Sequence, residues 1–414
     1  MVPVGEGFKK RVRSFSFEVH QHSPLYTPHG LTKIGANKGK SVTRILYPSL
    51  VLALLVLVTG CAASPARLPV LDPGEARGTV HPIYITTSRQ PADDPAAHFG
   101  TRRSLALNFA RADVWVPHNR LPGEIDYPGR RPDPSTEFAL TGWLDYDSRP
   151  DFARDLNLDL SEMRFAERDV FVFVHGFNTP FSDGLYLNAQ IINDFGLQTV
   201  FIHYAWPSAG QFPAYLYDRD SAQFARDGLV DTLILLADSE AIRINLIAHS
   251  MGSLVTMEAL RELSLTGRRD VLEKIDPVIL ASPDIDIDVF LSQLSVIEPR
   301  PEHLLVFVSA RDRALLLSDQ LRGGDHRRLG IGAQRELLTE LGATVVDLTE
   351  IRDGGFSGHT AFASSPTLMR MANTGVLATA LMGVEAMPQD SGIGTLSDLA
   401  ARIIYLPARA LGER

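Results

Sequence analysis

From residue 168 to residue 348 the chain repeats one alternation, a short apolar run that suits a buried strand and then a stretch with apolar residues at helical spacing. The runs fall at 170–174, 199–204, 243–248, 278–281, 304–309 and 344–348, and the helical stretches at 182–195, 218–237, 251–265, 289–296 and 334–341. Parallel neighbouring strands need a long crossover, usually a helix, so this alternation points to βα units and leaves little room for an all-helical or sandwich fold. Val170-Phe171-Val172-Phe173-Val174 is apolar throughout, as in a strand covered on both faces. Ahead of it, 80–87, 104–116 and 137–144 are rich in β-branched or aromatic residues and are separated by Pro/Gly/Asp clusters such as 120–134. These read as antiparallel strands at one edge. The expected fold is α/β, with a mostly parallel central sheet, helices on both faces and antiparallel N-terminal strands.

The most chemically informative segment is Ile244-Asn245-Leu246-Ile247-Ala248-His249-Ser250-Met251-Gly252-Ser253. An apolar run ends in a turn at Ser250 and an amphipathic helical pattern starts at once. Such a turn needs small residues two before and two after the serine because the backbone packs closely there; Ala248 and Gly252 meet the need, with alanine where the usual pattern has glycine. The geometry presents a serine hydroxyl at a helix N-terminus, where free N–H groups favour negative charge. The N–H of Met251 is then a donor for an oxyanion. The competing reading is that Ser250 merely caps the helix. Upstream, the run 170–174 enters His175-Gly176-Phe177-Asn178, which puts the N–H of Phe177 forward as second donor and His175 as a residue that orders the loop.

The partners of such a serine follow it in the order acid, then histidine. Asp312 lies just after the run 304–309 and His359 after the run 344–348, both at the strand ends where open α/β sheets bind ligands. A solvated loop carboxylate and a surface histidine are the alternatives. Asp284 is a second candidate acid. With Asp286 and Asp288 it forms an alternating series, which acids at a helix N-terminus explain more simply than calcium, since the glycine and closing glutamate of the calcium loop are missing. Trp206, Phe212, Tyr215 and Tyr217 are expected to line or roof an acyl pocket. No glycine-rich phosphate loop or metal-spaced cluster is present, so neither cofactor nor metal is expected.

Cys61 is the only cysteine in 414 residues, which rules out an intrachain disulfide. It ends Val58-Thr59-Gly60-Cys61, directly after Leu52-Ala53-Leu54-Leu55-Val56-Leu57, with Lys33, Lys38, Lys40 and Arg44 upstream. A positive segment, a short apolar run and small residues before a cysteine resemble a lipoprotein signal peptide, which implies cleavage before Cys61 and its acylation. A membrane span is the rival, but about 20 apolar residues are needed and Tyr47-Pro48-Ser49 interrupts this run. About 40 residues precede the run, which points to a misassigned start. Residues 1–60 are therefore expected to be leader, 61–79 a Pro/Gly-rich linker and 80–414 the folded domain. The leader carries eight Lys and Arg against two Glu, a net of +6, so with the whole chain at −9 the remainder stands near −15. So acidic a surface disfavours nucleic acid and anionic lipid as partners, leaving the acyl chains to hold the membrane. Ala62 follows the cysteine, where lipoproteins kept at the inner membrane commonly have Asp, so the resemblance implies an outer-membrane anchor facing the periplasm.

Over about residues 80–365 the chain resembles an uncharacterised bacterial α/β-hydrolase family, a domain of unknown function. The likeness rests on Phe99-Gly100-Thr101-Arg102-Arg103-Ser104, Val114-Trp115-Val116-Pro117, Phe173-Val174-His175-Gly176-Phe177-Asn178, Trp206-Pro207-Ser208, the serine turn, Ala281-Ser282-Pro283-Asp284-Ile285-Asp286 and Gly358-His359. It implies the hydrolase fold and a Ser250, Asp312, His359 triad, and no substrate. The expectation is an envelope-anchored serine hydrolase acting on a small ester or other acyl substrate. The alternatives are an acyltransferase, or a non-catalytic lipoprotein that uses the fold for binding or scaffolding.

Overall fold

The computed structural model describes residues 67–321, 328–355, 357–381, 402 and 404–406. The leader, Cys61 and the first part of the expected linker lie outside the described residues. The rest of that linker is not free along its length. Leu68 is buried, the N–H of Leu71 bonds to the Leu140 carbonyl at 2.8 Å, and the first strand already begins at Gly78. An apolar Leu-Pro-Val-Leu run inside the Pro/Gly-rich stretch gives the reason, since Leu68 gains more from burial than from solvent.

The strands are β1 (Gly78–Pro91), β2 (Phe99–Pro117), β3 (Ala139–Tyr146), β4 (Asp169–Val174), β5 (Val200–Ala205), β6 (Arg243–His249), β7 (Ile275–Ala281), β8 (Leu304–Val308), β9 (Thr344–Asp347) and β10 (Ile404–Tyr405). They form one sheet in the order β10-β9-β8-β7-β6-β4-β5-β1-β2-β3. Strands β4 to β9 are mutually parallel, while β1, β2 and β3 pair antiparallel at one edge and β1 joins the sheet parallel to β5. The expected fold is therefore the observed one.

The helices are α1 (Arg149–Glu162), α2 (Phe181–Asp194), α3 (Tyr215–Ala237), α4 (Met251–Leu265), α5 (Arg269–Leu272), α6 (Ile287–Leu294), α7 (Arg313–Leu321), α8 (Arg335–Glu340), α9 (Ala361–Ser364), α10 (Pro366–Asn373) and α11 (Val376–Leu381). They cover both faces, as the side chains of β4 make plain. Val170, Val172 and Val174 join one core with α1, α3, α4 and α6, whereas Phe173 joins another with residues of α2, α9 and α10. Full burial of one such side chain is worth roughly 1.5–3 kcal/mol, and it is alternation on β4 that recruits helices to both sides.

Helix α1 was not expected, because Asp and Asn dilute its apolar pattern. Phe152, Leu156 and Leu160 nevertheless recur every fourth residue on its buried face, and Ser148 caps it ahead of Pro150. The chain runs from β4 outward to β5 and then returns to β6 on the other side of β4. Strand order reverses there, and the crevice beyond the carboxyl ends of β4 and β6 is where an open α/β sheet binds its ligand.

Candidate active site

Two loops meet in that crevice. Ser250 sits between β6 and α4 with φ 53° and ψ −121°, a conformation an L-residue rarely adopts. Its side chain makes no capping bond to α4, which removes the simple capping explanation. The turn is held by Ser250 N–H to Ala281 O at 2.9 Å and by Asp284 N–H to Ser250 O at 3.2 Å. Close packing explains the small residues. A Cβ on Gly252 would stand 2.4 Å from His175 O and 2.5 Å from Val174 O, and one on Gly176 would stand 2.9 Å from Ser250 Cβ. Ala248 is fully buried at the equivalent place before the serine. Met251 opens α4, so its N–H has no carbonyl one turn back to bond.

The loop after β4 is held from behind by groups that composition did not reveal. Asp218, fully buried on α3, accepts from Asn178 N–H (3.1 Å), Ser208 Oγ (2.6 Å) and Ala209 N–H (2.6 Å). Arg89, buried on β1, donates to Thr179 O (2.9 Å), Ser208 O (3.2 Å) and Gly100 O (3.0 Å). Burial raises the Asp218 carboxyl above the usual carboxylate range against the pull of these bonds, and lowers the Arg89 guanidinium to about 10. His175 faces backbone carbonyls with both ring nitrogens, Gly176 O and Trp206 O at 2.9 Å each, and stacks on the buried Trp206. Burial holds it well below the ordinary histidine range, so it is a neutral loop-ordering residue.

On the other flank, Asp312 is fully buried after β8 and its Oδ2 accepts from His359 Nδ1 at 2.7 Å. Leu315 N–H bonds the other carboxylate oxygen at 3.0 Å. A neutral His359 ring with its proton on Nδ1 leaves the Nε2 lone pair free. His249, beside the serine, has Nε2 3.2 Å from His359 O and its ring between His359 and Phe362, with centroids 4.7 and 4.8 Å away. Its adjacency to Ser250 was the available signal, and it was missed.

The second candidate acid is engaged elsewhere. Asp284 accepts from Tyr215 Oη at 2.8 Å and Ser318 Oγ at 3.0 Å, and its Oδ1 lies 3.2 Å from Arg328 Nε in a buried ion pair without hydrogen-bond geometry. The structure thus brings Asp312, and not Asp284, to the histidine. Asp286 caps α6 through Asp288 N–H at 2.9 Å, the helix-terminal arrangement expected of that series.

Ser250 and His359 line one small cavity, of about 50 Å³, with Phe177, Phe212, Tyr215 and Leu315. Of the aromatic residues expected there, Phe212 and Tyr215 are present. Trp206 is instead in the core behind His175, and Tyr217 lies outside, under Arg103 and bonded to Thr101 O at 2.8 Å. Wider depressions of about 450 and 430 Å³ are lined by none of the residues named at this site; the first borders β2 and α3, and the second the carboxyl end of α2 and α10. Among the described residues, one group has metal-compatible spacing, Asp276, Glu302 and His303, at the amino ends of β7 and β8 and so on the opposite edge of the sheet. Among the described residues, too, no helix is long and apolar enough to cross a membrane.

The solved structures to which the chain is similar are distant. They include a gene product of Listeria innocua (11% identity, 49% of this chain and 91% of that one, TM-score 0.32) and lipase B of Aspergillus fumigatus (14%, 71% and 69%, 0.34). Carboxyl esterase 2 of Tuber melanosporum is similar at 11% identity over 86% of this chain and 96% of that one, with TM-score 0.33. No curated protein matches the chain. The family model for alpha/beta hydrolases of unknown function (DUF900) matches residues 151–378, from α1 through both flanks of the serine turn to α11, and the chain belongs to that family.

Proposed function

We propose that the protein is a serine hydrolase that cleaves carboxylic esters through an acyl-enzyme on Ser250. The observation that carries this reading is the Asp312–His359 bond of 2.7 Å, with His359 and the strained Ser250 lining the same cavity. Ser250 Oγ attacks the ester carbonyl carbon while His359 Nε2 takes the hydroxyl proton, and Asp312 orients the ring and stabilises its charged form. The N–H groups of Met251 and Phe177 stabilise the oxygen that gains negative charge. Collapse breaks the bond to the alcohol, which leaves with the proton from His359. Water then attacks the acyl-enzyme, gives a proton to His359, and releases the acid and a protonated Ser250.

The cell-envelope part of the proposal rests on sequence alone. Cys61 is the acylated N-terminus of the mature protein, anchored in the outer membrane and facing the periplasm; burial of acyl chains at about 0.8 kcal/mol per CH₂ supplies the attachment that an acidic surface does not. Wild type should fractionate with membranes and Cys61→Ala should not, and an unmodified cysteine in the mass spectrum would end this part of the reading. For the chemistry, turnover of p-nitrophenyl esters that Ser250→Ala abolishes is the expected result, and equal turnover by that variant would contradict it.

A further inference from the structure

Asp284 stands beside the serine without reaching the histidine, and its contacts give it a different use. Its carboxylate gathers Tyr215 from α3, Ser318 from α7 and Arg328 from the segment before α8. Tyr215 Oη also lies 3.1 Å from Ser318 Oγ, so three elements are fastened together across the cavity. The Tyr215 ring packs edge-on against Phe177 at 5.2 Å, and Phe212 meets Phe177 at 6.0 Å. Leu315, buried and donating its N–H to Asp312, lines the same cavity. Asp284 and Ser318 line the cavity too, but the carboxylate is occupied by its own protein partners, and most of the remaining wall is aromatic and aliphatic.

A cavity of roughly 150 Å³ accommodates a six-carbon benzene ring. On that scale about 50 Å³ next to Ser250 holds about two carbons. Phe177, Ser250 and His359 all border this space, and on the proposed reading the acyl group, carbonyl carbon included, lies there.

We infer that the Asp284-fastened wall of Tyr215, with Phe177, Phe212 and Leu315, restricts the enzyme to esters of short acyl groups, of about acetyl to propionyl size. This rests on the hydrolase reading above and specifies its substrate. A longer chain has to displace fastened side chains, and forcing even one or two methylenes into a filled site lowers the rate by about tenfold or more.

The test is a series of p-nitrophenyl esters, acetate through butyrate and octanoate to laurate, given to the full chain and to Tyr215→Ala, Tyr215→Phe and Phe212→Ala. Phe212 is 54% exposed, so its truncation spares the core and keeps the test available if a Tyr215 variant does not fold. Wild type should be fastest on acetate and at least about tenfold slower in kcat/KM on octanoate. Phe212→Ala and Tyr215→Ala should move the optimum to longer chains, and Tyr215→Phe, which keeps the ring but frees the fastening, should broaden it. Faster wild-type turnover of octanoate or laurate, or a chain-length profile that no variant changes, would overturn the inference while leaving the hydrolase reading intact. Failure of Ser250 to react with a small organophosphonate would remove both.

Discussion

The two flanks of Ser250 are built differently. The loop after β4 is fixed through its backbone: Asn178 and Thr179 are tied to Asp218, Ser208 and Arg89, all buried, and the His175 carbonyl accepts from Trp206 Nε1–H. The flank after β8 and β9 depends on side chains, chiefly the bond between fully buried Asp312 and His359, whose side chain is 16% exposed. The difference follows from the proposed chemistry. Oxyanion donors act by standing still where charge will develop, and a lattice of buried polar groups keeps them there. A base has to accept and deliver protons in turn, and one buried carboxylate behind an accessible imidazole suffices to hold its tautomer.

The sharpest way to break this comparison is on the side-chain flank. Asp312→Asn should reduce kcat by about ten-thousandfold with the fold intact, because the amide cannot hold the ring with its proton on Nδ1. Asp284→Asn should reduce it far less and alter acyl-chain preference instead; if the two effects were reversed in proteins of equal stability, the acid would have to be reassigned.

The backbone flank should give a smaller effect of another kind. All three contacts of Asp218 are donors, so Asp218→Asn turns an N–H toward an N–H or a hydroxyl and shifts the loop that carries Phe177. Loss of one oxyanion donor outright costs about a hundredfold or more, and a displaced donor should cost roughly tenfold to a hundredfold in kcat with KM little changed. Binding of a trifluoromethyl ketone, which forms the tetrahedral oxyanion, should weaken by the same factor as kcat/KM. A variant that loses only thermal stability would show that the lattice supports the fold and not the reaction.

The smallest effect concerns acid. His203, on β5 beneath the same loop, is fully buried, and burial with nearby Arg89 lowers it to about 3. The unfolded chain takes up that proton below about pH 6.5, and the fold refuses it until about 3, so stability is complete above the upper value and is lost as pH falls through this window. The slope should approach ~1.4 kcal/mol per pH unit for this one group, and His203→Gln should flatten it in urea unfolding curves. An unchanged slope would mean that other groups govern the acid limb.

Legibility in the sequence followed the same division. The residues of the serine turn, Asp312 and His359 stand at strand ends, and strand ends show in the alternation of apolar runs and helices. Asp284 and Asp312 both follow a strand end, and chain order favours Asp312, which comes after the later strand. Side-chain partners separate them further, and Tyr215, Ser318 and Arg328 are remote from Asp284 in sequence. The lattice of Arg89, Ser208 and Asp218 was illegible for the same reason, since β1 reaches Thr179 by pairing with β5. Trp206 reads as a pocket residue in the sequence because an aromatic after a strand has no sign that says which way it faces. Boundaries of the parallel strands other than β7 agree to about a residue because continuous burial leaves few alternatives; β7 begins three residues before the run 278–281, at Ile275-Asp276-Pro277, and α1 is hidden by its polar residues.

The central claim is that Ser250 is a nucleophile activated by His359. The direct measurement is mass spectrometry of the full chain after reaction with a small organophosphonate, comparing wild type, Ser250→Ala and His359→Ala. The account expects one adduct on Ser250 in the wild type, none in Ser250→Ala, and labelling slowed by about a thousandfold or more in His359→Ala. An adduct that persists in Ser250→Ala, or a wild-type protein that never labels, would contradict it.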